Sequence, residues 1–192
     1  GIFMTEKDKK APEMTKEQFM HHVEDVFAPS RPANYNDAHK IFAIEKRATE
    51  YTHSPNISYH IKYQPNREVT EALMINPDYN FTVLTGREHY LIGYYAIDFE
   101  DKQNKEAVVY DIAINEWNKG HSVAVSKILR EIEEKTLSRN FNSISISAHE
   151  NCEIVKDRVL QKHGYELVEK KKGHNIKDEN KYTCFYRKVL KA

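Results

Sequence analysis

Cysteine, glycine and long apolar runs are all scarce in this chain. Two cysteines, Cys152 and Cys184, stand in 192 residues. That is too few for a disulfide framework, and with no CxxC pair and no HExxH the spacing of a structural or catalytic metal site is missing. No metal is expected. The thiols read as reduced ones in a cytoplasmic protein. No apolar stretch approaches the roughly 20 residues of a membrane helix, and the N-terminal residues lack a secretory apolar core. Charge of one sign is also missing: 29 Lys and Arg face 29 Asp and Glu. A protein that binds nucleic acid over a broad surface usually carries a basic excess, so neither membrane nor nucleic acid is the expected partner.

What is present is a generous core. Forty per cent of the residues are hydrophobic, with 12 Tyr and 8 Phe, enough for one domain of this length. Gly1, Ile2 and Phe3 ahead of Met4 read as a tag scar, and residues 1–13 as a polar, flexible tail. Residues 14–55 read as a helical section. One helix is expected over 15–27, with Phe19, Met20, Val23, Val26 and Phe27 as its stripe. A second is expected over 36–51, with Ile41, Phe42, Ile44 and Ala48 as buried positions.

Over 56–192 the period changes. Strands are expected over 57–63, 81–84, 90–99, 106–114, 143–147, 165–170 and 182–190, with helices over 68–75, 122–137 and 152–163. From Phe81 onward the order is β-β-β-α-β-α-β-β, mixing antiparallel hairpins with βαβ crossovers. Such an order specifies a mixed sheet covered by helices.

Three places in that order carry chemistry. Asp111-Ile112-Ala113-Ile114 ends the strand before the long helix. Lys119-Gly120-His121-Ser122-Val123-Ala124 leads into that helix. A helix start offers unpaired N–H groups and the positive end of the helix dipole, which receive a phosphate, and small residues let the ligand approach the backbone. Asn151 begins the last helix, which Gly164 is placed to end.

These three joints, within residues 81–190, resemble the GNAT N-acetyltransferase superfamily. The resemblance implies an α/β (α+β) fold with a mixed, mostly antiparallel sheet flanked by helices, here with an N-terminal helical extension. It implies an acyl-CoA-dependent N-acyltransferase holding acetyl-CoA between two splayed strands. Ile112, Ala113 and Ile114 would contribute backbone, Lys119 through Ala124 the pyrophosphate loop, and Asn151 a contact to the pantetheine arm, a helix cap, or both. The partners implied are acetyl-CoA and an amine on a small molecule, peptide or protein. Members often dimerise, so a homodimer is compatible.

The family often uses a carboxylate near this strand as base. Asp111 either serves so or points to a wet face. Glu106 and Glu116 are neighbours. Lys119 stands where Arg or Gln is usual, Ser122 where Gly is, and Leu160 where many members place the Tyr that protonates the thiolate. Tyr110 and His149 are substitutes. The alternative is a GNAT-fold binding module with weak or no catalysis. Trp117 reads as packing at the helix start, and Lys170-Lys171-Lys172 as a solvated face.

Overall fold

Alternating side chains along the strands build the molecule around a two-faced sheet, and a computed structural model describes residues 30–48, 57, 66–86, 90–114, 121–174 and 180–191, with 121–123 as backbone only. Strand β1 (Ser30–Pro32) leads through a short 3-10 turn into helix α1 (Ala38–Ala48), followed by helix α2 (Arg67–Ile75). Strands β2 (Tyr79–Thr85), β3 (Leu91–Asp101) and β4 (Glu106–Ile114) form an antiparallel meander. Helix α3 (His121–Ser138) crosses over to β5 (Ser143–His149). The short helices α4 (Glu153–Lys156) and α5 (Val159–Lys162) precede β6 (Glu166–Lys172) and β7 (Tyr182–Val189). The expected helix over 15–27 and the expected strand over 57–63, Ile57 excepted, lie outside the described residues.

The seven strands lie in the order β1-β2-β3-β4-β5-β7-β6. Among the described strands only β4 and β5 run parallel, the geometry that needs a crossover helix such as α3. The fold is thus the expected mixed, mostly antiparallel sheet flanked by helices. The larger core packs Val125, Ile128, Leu129 and Ile132 of α3 against Ile92, Tyr95 and Ile97 of β3 and Ile112 and Ile114 of β4. The opposite face is covered by α1 and α2, with Ile41 and Ala48 against Phe81, Val83, Tyr94 and Ala113. β3 is therefore buried on both sides.

Local chemistry fixes the ends. The side chain of Asn34 caps the turn before α1, and Asp37 accepts from the Asn34 backbone N–H in return. Asp37 also accepts two hydrogen bonds from Arg31, at 2.7 and 2.9 Å, which ties β1 to the start of α1. Asn66 caps α2 through the N–H groups of Glu68 and Val69.

The last helix departs from expectation. It is not one helix over 152–163, because Arg158 is left-handed at φ 57°. On a continuous helix, residues six apart point roughly 120° away from each other. The break lets both Ile154 and Leu160 reach the core. Gly164, at φ 87°, ends the segment where the sequence placed it.

Candidate functional site

The parallel ladder between β4 and β5 is short. It runs only from Glu106↔Ser143 to Val108↔Ser145. Beyond it, β4 stays with β3 up to Gly93↔Ile114, and β5 stays with β7 up to His149↔Thr183. The sheet therefore divides into two halves, and the cleft opens at the C-terminal ends of β4 and β5. The cause is local. Asp111 pairs with Ala96 but Val109 with Ile97, so Tyr110 is an extra residue on β4. Such a bulge bends its strand and increases its twist.

The bulge also sets side-chain directions. Val109 and Ile112 belong to the core under α3. Tyr110 packs on the α1/α2 face, where its ring lies 5.8 Å from that of Tyr79 and 6.2 Å from that of Phe81. Asp111 joins it on that face: it is buried and accepts a hydrogen bond from the Tyr94 hydroxyl. Of the two readings of Asp111, the wet one is thus excluded.

A second carboxylate meets it there. Glu45 of α1 is buried and accepts from Thr70 Oγ1 of α2 at 2.9 Å. Burial first, and the charge of Asp111 second, push its carboxyl up to about 7, against an opposing effect of the Thr70 bond. Tyr94 is held well above the usual phenol range by burial and by both carboxylates. Sequence reasoning missed Glu45. The signal was its spacing, four residues after Ile41 and three before Ala48, which puts it on the buried stripe.

The remaining expected residues fall as follows. Ile112, Ala113 and Ile114 are buried at the parting end of β4. The carbonyl of Ile112 accepts from the backbone N–H of Ile57 at 3.1 Å. Lys119 and Gly120, with Glu116 and Trp117, lie outside the described residues. His121, Ser122 and Val123 form the first turn of α3, which carries no acidic residue, so its positive end is not offset by a carboxylate in that turn. Ala124 is fully buried.

Asn151 is half-buried and is not the cap of the helix after it. Cys152 holds that position, without a side-chain bond, while the Asn151 N–H donates to Nδ1 of the buried His149 at 2.9 Å. Glu106 is far from the cleft, at the closed end of β4, where Arg187 and Ser145 both donate to it at 2.8 Å. Leu160 is fully buried. Burial pushes the Cys152 thiol up to about 12, which makes it unreactive at neutral pH. No group of metal-ligating side chains occurs among the described residues, and none of their helices is long and apolar enough to cross a membrane.

No family sequence profile matches the chain, and no curated protein matches it by sequence. Solved structures do. Spermidine N-acetyltransferase from Vibrio cholerae, solved with CoA and spermine, superposes with a TM-score of 0.64 at 12% identity, over 84% of this chain and 95% of that one. An acetyltransferase of the GNAT family from Staphylococcus aureus gives 0.64 at 14% identity, over 85% and 99%. The aminoglycoside 6'-N-acetyltransferase from Enterococcus faecium gives 0.63 at 12% identity, over 85% and 98%. The chain has the GNAT fold, and its structural neighbours are N-acetyltransferases acting on varied amines.

Proposed function

We propose that this protein is an N-acetyltransferase that moves an acetyl group from acetyl-CoA to an amine acceptor by direct attack. The observation that carries the reading is the parting of β4 from β5 after three paired residues. It leaves a cleft beside Ile112–Ile114, with the start of α3 following β4 in the chain. The thioester arm would lie along this edge, and the pyrophosphate would meet the first turn of α3 through residues 119–124. Both neighbours named for their acceptors, spermidine and aminoglycosides, act on amines, and an amine on a small molecule, peptide or protein is the acceptor class assigned here.

The chemistry balances with Asp111 as the base. The acceptor ammonium gives one proton to the Asp111 carboxylate, directly or through water. The freed lone pair attacks the thioester carbonyl carbon, whose developing oxyanion a β4 amide stabilises. The C–N bond forms, the C–S bond breaks, and the departing thiolate takes the second proton from the nitrogen. Asp111 returns its proton to solvent.

A second reading, a GNAT-fold binding module without catalysis, is favoured by two observations. Leu160, not a tyrosine, fills the position four residues before Gly164, and the Ile112 carbonyl on the cleft edge is engaged by Ile57. Thiol release from acetyl-CoA in the presence of a panel of primary amines separates the readings. Amine-dependent release supports transfer, and acetyl-CoA binding without release under any amine supports the module.

A further inference from the structure

We propose that His149 is a further catalytic residue of acetyl transfer: a neutral imidazole that donates a hydrogen bond through Nε2 to the negative charge developing on the thioester. This deepens the transfer reading of the same cleft and rests on it. The placement follows from the sheet. His149 is the last residue of β5, the strand that forms the far side of the cleft from β4. Ile144, Ile146 and Ala148 turn into the core under α3. By alternation Ser147 and His149 turn to the opposite face, the face on which Ala113 of β4 lies. The last paired residues of the two strands are Val108 and Ser145. Counting outward from them, and allowing for the one extra residue at Tyr110, His149 stands level with Ala113. It therefore faces the edge along which the thioester arm would lie.

Its hydrogen bonding fixes what the ring can do. The backbone N–H of Asn151 donates to Nδ1 at 2.9 Å. A nitrogen that accepts carries no proton, so the neutral ring holds its proton on Nε2. An imidazolium would set a second N–H against that of Asn151 and lose the bond. His149 is thus unsuited to hand a proton to the thiolate in the manner of the tyrosine that Leu160 replaces. It is suited to donate while keeping its proton, as a neutral imidazole does when it polarises a carbonyl. The C–N bond forms, the electron pair of the breaking C–S bond passes to sulfur, and the thiolate still takes its proton from the nitrogen.

The donor is also held in place before any substrate arrives. The Cys152 N–H donates to the His149 carbonyl at 2.9 Å, and the Glu150 N–H to the Tyr182 carbonyl at 3.0 Å. The Tyr182 N–H donates in return to Glu150 Oε1 at 3.0 Å. The turn after β5 is thereby tied to β7. The ring is buried, so water screens little of a charge that arises beside it, and a fixed donor in such surroundings stabilises that charge strongly.

The test pairs nitrogen-15 NMR of the full chain with kinetics of His149→Asn. In the wild type at neutral pH the His149 ring is expected to show its proton on Nε2 and a bare Nδ1. Asparagine keeps an acceptor for the Asn151 N–H, because its side-chain oxygen bonds the backbone two residues on, but it places nothing at Nε2. Its kcat with a primary amine is expected to fall about a hundredfold, with the acetyl-CoA dissociation constant unchanged, since the lost bond forms only as charge develops. A proton on Nδ1 in the wild type overturns the proposal. So does a His149→Asn protein that turns over as the wild type does, the result given by a histidine that only holds the turn. A wild type that binds acetyl-CoA but releases no thiol with any amine removes the transfer reading and the catalytic role with it. The ring tautomer is read independently of activity, so the two failures are distinguished.

Discussion

Replacing Glu45 by glutamine is expected to stabilise the chain progressively as pH rises. In the folded state the Glu45 carboxyl titrates at about 7, against an ordinary value of 4.5. The folded chain therefore binds this proton more tightly than the unfolded chain does, and its stability falls as pH climbs from the lower value to the higher. The gap is 7 − 4.5. At about 1.4 kcal/mol for each pH unit, it amounts to about 3 kcal/mol. Glutamine keeps the shape and the Thr70 partner but carries no charge, so the variant escapes this loss. Urea unfolding of both proteins at pH 5 and pH 8 reads the effect. The stability of Glu45→Gln relative to wild type should shift by about 2–3 kcal/mol in favour of the variant between the two pH values, somewhat less than the full gap because part of it is already lost at pH 5, while contributions common to both proteins cancel. A difference that does not change with pH would refute the reasoning, because it would mean that Glu45 is ionised in the folded protein without cost.

Two further perturbations address the frame that holds the site. A Cβ at Gly93 would lie 2.5 Å from the Ala113 carbonyl oxygen, so Gly93→Ala must push β3 away from the end of β4 and should cost about 1–3 kcal/mol in thermal unfolding. An unchanged melting temperature would show that the two backbones are not in contact there. Asp37→Asn breaks the Arg31 pair, and since Arg31 is 39% exposed solvent screens part of the attraction, giving an expected cost of about 1–2 kcal/mol near neutral pH. The Arg31 hydrogen bonds hold the Asp37 carboxyl below the usual range, so this contribution is present above that range and is lost as pH falls through the lowered value. The variant and the wild type should therefore converge in acid, and equal urea midpoints at pH 7 would contradict the pairing.

Strong periodicity made parts of this fold readable. β4 spans the residues the alternation marked, Glu106–Ile114, and α3 exceeds its expected span by one residue at each end. β1 was missed because Ser30, Arg31 and Pro32 carry no strand pattern, and their strand character comes from pairing with Leu84, Val83 and Thr82. The break at Arg158 was illegible for a similar reason. Residues 152–163 satisfy a helical stripe locally, and only packing against the sheet demands the left-handed turn.

The site divides along the same line. Asp111 stood out as a carboxylate in an apolar strand, but its direction depends on the Tyr110 bulge, which is a property of the pairing with β3. The meeting of Asp111 with Glu45 joins residues far apart in the chain. Within the helix, Glu45 was hidden by its own charge, since a stripe drawn from apolar residues alone passes over it.

The central claim is that the cleft between β4 and β5 holds acetyl-CoA with its phosphates at the start of α3. Calorimetric titration of the full chain with acetyl-CoA, repeated on Ser122→Glu, tests it most directly. The account predicts a dissociation constant in the micromolar range for the wild type. The variant places a negative charge at the positive end of the helix, where the pyrophosphate would sit, and should weaken binding at least about tenfold. Heat of binding that is absent in the wild type, or equal in the two proteins, would contradict it.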